Sequence, residues 1–164
     1  MTGVIVCGVD GSAAGQRAVE WAYDEARRRS CRLRAVTVWS WDGPEYGQLI
    51  GGPEEARQRA VDIQDEVLAK VVGDSREPEV EKVVVDGRPS DQLCQAARDA
   101  DLLVVGSHGH GAFHDALVGS TSVHVIRHAP CPVVLLPDQS RRAGKPKAAK
   151  SRRVHSPEGG LPMF

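Results

Sequence analysis

The chain has 164 residues, 41% hydrophobic and 26% charged, which is one domain's worth of ordinary globular sequence and excludes a wholly disordered or collagen-like chain. No run of about 18 apolar residues offers a membrane-spanning helix. Residues 1–137 carry 14 Lys/Arg and 20 Asp/Glu, a net of −6, whereas residues 138–164 carry 7 and 2, a net of +5. An acidic body lacks the basic stripe that DNA or RNA requires, so no nucleic-acid partner and no membrane are expected.

The N-terminal stretch MTGVIVCGVDGS has no basic region and turns glycine-rich early. It does not read as a signal peptide, and a cytoplasmic location is expected. Cys7, Cys31, Cys94 and Cys131 stand apart without a C-x-x-C pair. Reduced, buried thiols are the expectation.

In chain order, Val4–Val9 is a short apolar run that reads as a strand buried on both faces. Ser12 suits the cap of a helix over 13–29, with Ala14, Ala18, Ala22 and Ala26 on one line. Arg32–Val38 reads as a second strand, followed by a loop from Trp39 to Gly52. Pro53 opens a helix with Glu54 and Glu55 at its positive end. Its expected buried face is Ala56, Ala60, Ile63, Val67 and Val71, and Gly73 stops it. Val80–Val85 is a third strand. Ser90 is the expected cap of a short helix with Leu93, Ala96, Ala97 and Ala100 inward. Asp101–Val105 is a fourth strand, Gly106–Gly119 a glycine-rich loop, 120–128 a helix and Val133–Leu136 a fifth strand.

That alternation predicts an α/β fold with a parallel sheet covered on both faces. Residues 138–164 are basic and lack an apolar stripe, and read as a disordered tail on a 1–137 domain.

In such a sheet, ligands lie beyond the carboxyl ends of the strands at the point where strand order reverses. Two glycine-bearing loops are candidates to meet there: Asp10-Gly11-Ser12, and the loop that begins at Gly106. The second closes on a helix start, where free N–H groups and the helix dipole favour an anion. Ser120, Thr121 and Ser122 add hydroxyls. The alternative is that Ser120 merely caps the helix. No Walker lysine motif is present. Gly8-x2-Gly11-x3-Gly15 does not meet the dinucleotide fingerprint. His108, His110 and His114 form a possible metal set, although loop histidines without cysteine make poor ligands. Trp39 and Trp41 are placed either to flank a bound ring or to cover a core edge.

The spacing G-x2-G-x9-G-[ST] at Gly106, Gly109, Gly119 and Ser120 resembles the signature of the universal stress proteins, in their ATP-binding branch. The Asp86-Gly87-Arg88-Pro89 turn and His128-Ala129-Pro130-Cys131-Pro132 extend the resemblance over about 1–137. It implies a Rossmann-like, doubly wound sheet of strand order 3-2-1-4-5 and a homodimer, which the exposed apolar last strand 133–136 would form. It implies that Asp10, with the adjoining Gly11-Ser12 loop, and the backbone at Val38 hold adenine and ribose. It implies that Gly106, His108, Gly109, Gly119, Ser120 and Ser122 line the phosphates, with Thr121 beside them. ATP with Mg2+ is then the expected ligand, and a nucleotide-regulated role in stress response the expected function. AMP or cyclic AMP binding, and slow ATP hydrolysis or self-phosphorylation, are the alternatives. No catalytic residues are assigned.

Overall fold

The structure, a computed structural model, describes residues 3–40, 52–73, 75–109 and 118–137. Strands and helices alternate as β1 (Val4–Gly8), α1 (Ala13–Arg29), β2 (Arg32–Trp39), α2 (Gly52–Val72), β3 (Val80–Asp86), α3 (Pro89–Ala96), β4 (Leu102–Gly106), α4 (Ser120–His128) and β5 (Val133–Leu136). Every strand pairing is parallel, and the order is β3-β2-β1-β4-β5. This is the parallel sheet expected from the alternation, in the doubly wound order that the resemblance implies.

Side chains on a strand point alternately to its two faces. Ile5 and Cys7 therefore join Leu33, Ala35 and Val104 in the core beneath α1, while Val4 and Val6 join Leu103, Val105 and Leu93 in the core beneath α3. Both sets are buried, which is why these strands read as unbroken apolar runs. Cys7 and Cys31 are buried and Cys94 and Cys131 half-buried, all as free thiols. Loss of hydration pushes each of the four thiols up from its ordinary range, so they are poor nucleophiles.

Helix α1 follows the expected pattern. Ser12 caps it by accepting a hydrogen bond from the Gly15 N–H, and the four-alanine line is buried. Alanine at each contact lets the helix lie close on the sheet. In α2 the buried line differs from the expected one. Ala56, Ala60, Val67 and Leu68 are buried, but Ile63 is only half-buried and Gln64 takes the central place at 1% exposure. The Gln64 amide nitrogen lies 3.1 Å from the Ala35 carbonyl oxygen, 3.0 Å from Thr37 Oγ1 and 3.0 Å from the Val83 carbonyl oxygen. A buried amide needs such partners, so this one ties α2 to β2 and β3.

Ser90 does not cap α3, as the sequence suggested. Arg88 occupies the cap position and Pro89 the first turn. Proline needs no donor partner there, and buried Ser90 instead donates to Asp91 Oδ1 at 3.3 Å. Asp101 lies just before β4, where its carboxylate accepts from the Val4 N–H at 2.9 Å. No helix among the described residues is long and apolar enough to cross a membrane. The tail 138–164 lies outside the described residues.

Candidate functional site at the strand switch

β1 sits between β2 and β4. The chain leaves β1 for α1 on one face and leaves β4 for α4 on the other, so a crevice opens beyond the carboxyl ends of β1 and β4. Val9–Ser12 borders it on one side and the segment after Gly106 on the other. Residues 110–117 of the second loop, with His110 and His114 and hence the three-histidine metal set, lie outside the described residues, as does Trp41.

The first loop is bonded to itself. Gly11 takes a φ of 77°, a left-handed conformation that disfavours a side chain. That turn brings the Ser12 N–H to 3.0 Å and its hydroxyl to 2.8 Å from Asp10 Oδ1. The same hydroxyl oxygen accepts from the Gly15 N–H at 3.0 Å and lies 3.2 Å from the His108 carbonyl oxygen.

The second loop is anchored at its two ends. A Cβ on Gly106 would fall 2.8 Å from the Ala14 carbonyl carbon and 2.9 Å from the Gly15 nitrogen, so β4 ends hard against the start of α1. A Cβ on Gly109 would fall 2.8 Å from Asp10 Oδ2. The loop backbone thus already lies on the carboxylate. At the far end the Gly119 N–H donates to the Ser107 carbonyl at 2.8 Å, and the Ser122 hydroxyl donates to the Gly106 carbonyl at 2.8 Å.

Gly119 is the cap of α4, with no side-chain cap bond. Ser120 therefore does not cap this helix. It is exposed in the first turn, beside half-buried Thr121. The first-turn N–H groups have no partner within the helix by position. Ser122 is buried with its proton on the loop backbone, so its role here is to fix that loop. His108 is 8% exposed, and its Nδ1 lies 2.9 Å from the Ser107 hydroxyl.

The structure therefore brings Asp10, Ser12, His108 and Gly109 into mutual contact, with Gly106 beneath them and Gly119, Ser120 and Thr121 at the α4 start. Gly8 pairs with Val36 at the end of β1, and Val38 lies two residues further along β2, toward the carboxyl end of that strand. Gly11 is exposed on the rim. Sequence reasoning gave Gly15 no role. Its hydrogen at Cα is what leaves room for the Asp10 carboxylate. The available signal was a glycine in a first helical turn, where alanine is the better helix former.

Asp10 is the one carboxylate within the described parts of the two loops, and Arg127 lies in the last turn of α4, away from the crevice. Among the described residues no group of three or more His, Cys, Asp or Glu is arranged to hold a metal ion.

Comparison with known proteins agrees with this fold. Residues 1–137 match the model of the Universal stress protein family. A universal stress protein of Mycobacterium tuberculosis is 40% identical over 136 residues, which are 80% of this chain and 43% of the relative. The chain thus spans less than half the length of that relative. One from Thermus aquaticus is 35% identical over 136 residues, 80% of this chain and 96% of its own. Among solved structures, universal stress protein UspA from Lactobacillus plantarum has a TM-score of 0.65 at 26% identity, covering 82% of this chain and 97% of its own. A universal stress protein in complex with cAMP has a TM-score of 0.53 at 25% identity, covering 82% and 96%. By sequence and by fold, the chain belongs to the universal stress protein family.

Proposed function

We propose that the crevice binds an adenine nucleotide, ATP with Mg2+, and that the chain acts as a nucleotide-regulated homodimer in a stress response. The observation that carries this reading is the approach of Gly109 to Asp10, where a Cβ would fall 2.8 Å from Oδ2. It joins the one carboxylate in the described parts of the two loops to a glycine loop that leads to the start of α4, which has no side-chain cap. Asp10 and the Val38 backbone then serve the adenosine side, and the N–H groups of Ser120 and Thr121 the phosphates. Mg2+ commonly takes one or two carboxylates with phosphate oxygens and water. An ion delivered with the nucleotide would neutralise phosphate charge through phosphate oxygens and water, leaving Asp10 to the adenosine side.

A second reading, cyclic AMP or AMP, is favoured by the charge of the site. No Lys or Arg lies in the described parts of the two loops, and a ligand of lower charge needs fewer cations. One relative of this fold was solved with cAMP. Slow hydrolysis or self-phosphorylation needs a base, and both donors of Ser12 are within hydrogen-bond distance of Asp10 Oδ1. Asp10 Oδ1 is thus already engaged within its own loop.

The homodimer reading rests on β5, an edge strand whose four residues are all half-buried. An unpaired apolar edge favours pairing with a second copy. Light scattering at about 10 μM is expected to give twice the chain mass.

Mass spectrometry of the nucleotide released from protein purified without added ligand, followed by calorimetry with ATP·Mg2+, AMP and cAMP, tests the reading. Gly109→Val is expected to abolish binding. If none of the three binds more tightly than about 1 mM, the nucleotide reading is wrong.

A further inference from the structure

We infer that Ser12 is a positioning residue that latches residues 107–109, just after β4, onto the start of α1, and that a hydroxyl donor bound at Asp10 tightens the latch. The second half rests on the nucleotide reading above; the first stands on the free protein.

The argument is one of counting protons. The Ser12 hydroxyl holds a single proton and faces two acceptors, Asp10 Oδ1 at 2.8 Å and the His108 carbonyl oxygen at 3.2 Å. One of its two lone pairs is taken by the Gly15 N–H. It therefore donates to one acceptor at a time, and the two acceptors belong to different loops. Asp10 Oδ1 already accepts the Ser12 N–H at 3.0 Å. When a ribose-type hydroxyl donates to that carboxylate, its pull on the serine proton falls. The proton then turns to the His108 carbonyl and tightens that contact. From the α4 side, the Gly119 N–H bonds to Ser107 and the Ser122 hydroxyl to Gly106, and on the β5 side the Ser107 N–H donates to the Leu136 carbonyl at 2.8 Å. Among the described residues Ser12 supplies the hydrogen bond from the α1 side. Ser12 thus acts on a ligand through the loop, without needing to touch it.

Hydrogen exchange on the full chain reads this directly. In the free protein, Ser12→Ala is expected to speed exchange of the amides at 107–109 by about tenfold, the loss of roughly one hydrogen bond. Ser12→Thr restores the wild-type rate because it keeps the hydroxyl. Ser12→Asp separates the latch from the helix cap: its carboxylate still accepts from Gly15 but has no proton for His108. It is expected to protect the first turn of α1 while leaving 107–109 as fast as in Ser12→Ala. Adenosine, which has no phosphates, is expected to slow exchange at 107–109 in wild type and Ser12→Thr alone. Unchanged exchange in Ser12→Ala, or full protection of 107–109 in Ser12→Asp, overturns the latch. A wild type that responds to adenosine no more than Ser12→Ala does overturns the tightening. A wild type that binds no adenine nucleotide removes the functional reading while the free-protein rates still decide the latch.

Discussion

Helices α1 and α4 begin at the same end of the sheet, on opposite faces, and their first turns are finished in opposite ways. α1 is capped from within by the Ser12 side chain, whereas Gly119 gives α4 no side-chain cap. The flanking glycines differ in step. Gly106 answers to the backbone of Ala14 and Gly15, while the nearest neighbour of a Cβ on Gly119 would be the Ser107 carbonyl oxygen at an ordinary 3.4 Å. Glycines within one signature therefore have different jobs. Gly106 is required by main-chain packing, Gly109 lets the loop approach the Asp10 carboxylate, and Gly119 leaves space at a helix start that has no side-chain cap.

The contrast breaks most visibly at Gly106. A methyl group there meets main chain that cannot step aside, so Gly106→Ala is expected to lower stability by about 2–3 kcal/mol in chemical denaturation. Gly119→Ala, at an ordinary φ of −71°, should shift stability by less than about 0.5 kcal/mol. Equal effects at the two glycines would erase the distinction. Calorimetry carries the next test. Gly119→Val keeps the fold but fills the α4 approach, and ATP binding should weaken at least about tenfold, the equivalent of 1.4 kcal/mol.

A smaller effect compares the hydroxyls. Ser12→Ala removes a cap and should cost about 1 kcal/mol of stability, whereas Ser120→Ala removes none and should leave the melting curve in place. A loss at Ser120 matching that at Ser12 would mean that α4 is capped as α1 is. The smallest expected effect is truncation after Pro137, which should change neither melting temperature nor nucleotide affinity, because a polar basic segment buries little. A several-fold loss of ATP affinity would show that the tail's cations serve the α4 start.

The fold was legible because its signals were local. Val4–Val9 read as a strand buried on both faces and Asp101–Val105 as a strand, close to the observed Val4–Gly8 and Leu102–Gly106, and the alanine line of α1 set its inner face. The signature glycines marked the loops that meet. Hydrogen-bond bookkeeping across the sheet was not legible. Nothing local distinguishes Gln64 from an exposed glutamine, since its partners Ala35, Thr37 and Val83 are 19 to 29 residues away. Ser90 lost its expected cap role because Pro89 had already fixed the first turn. The distribution of work between Ser12 and Ser122 depended on which carbonyls the fold delivers to each hydroxyl.

The buried amide of Gln64 acts as an index mark between α2 and the sheet. Its helix neighbours on the buried line, Ala60, Val67 and Leu68, carry no side-chain donor. If α2 slid along its axis by a turn, an apolar group would face the acceptors at Ala35, Thr37 and Val83, and the amide would be stranded in a dry interface. Apolar packing alone is forgiving of such a slip, because one alkyl side chain fills space much as another does. A lone polar tooth makes the alternatives discontinuous, so the helix has one seat rather than several. That seat fixes where α2 begins, and with it the far end of the chain segment that leaves β2 beside Val38.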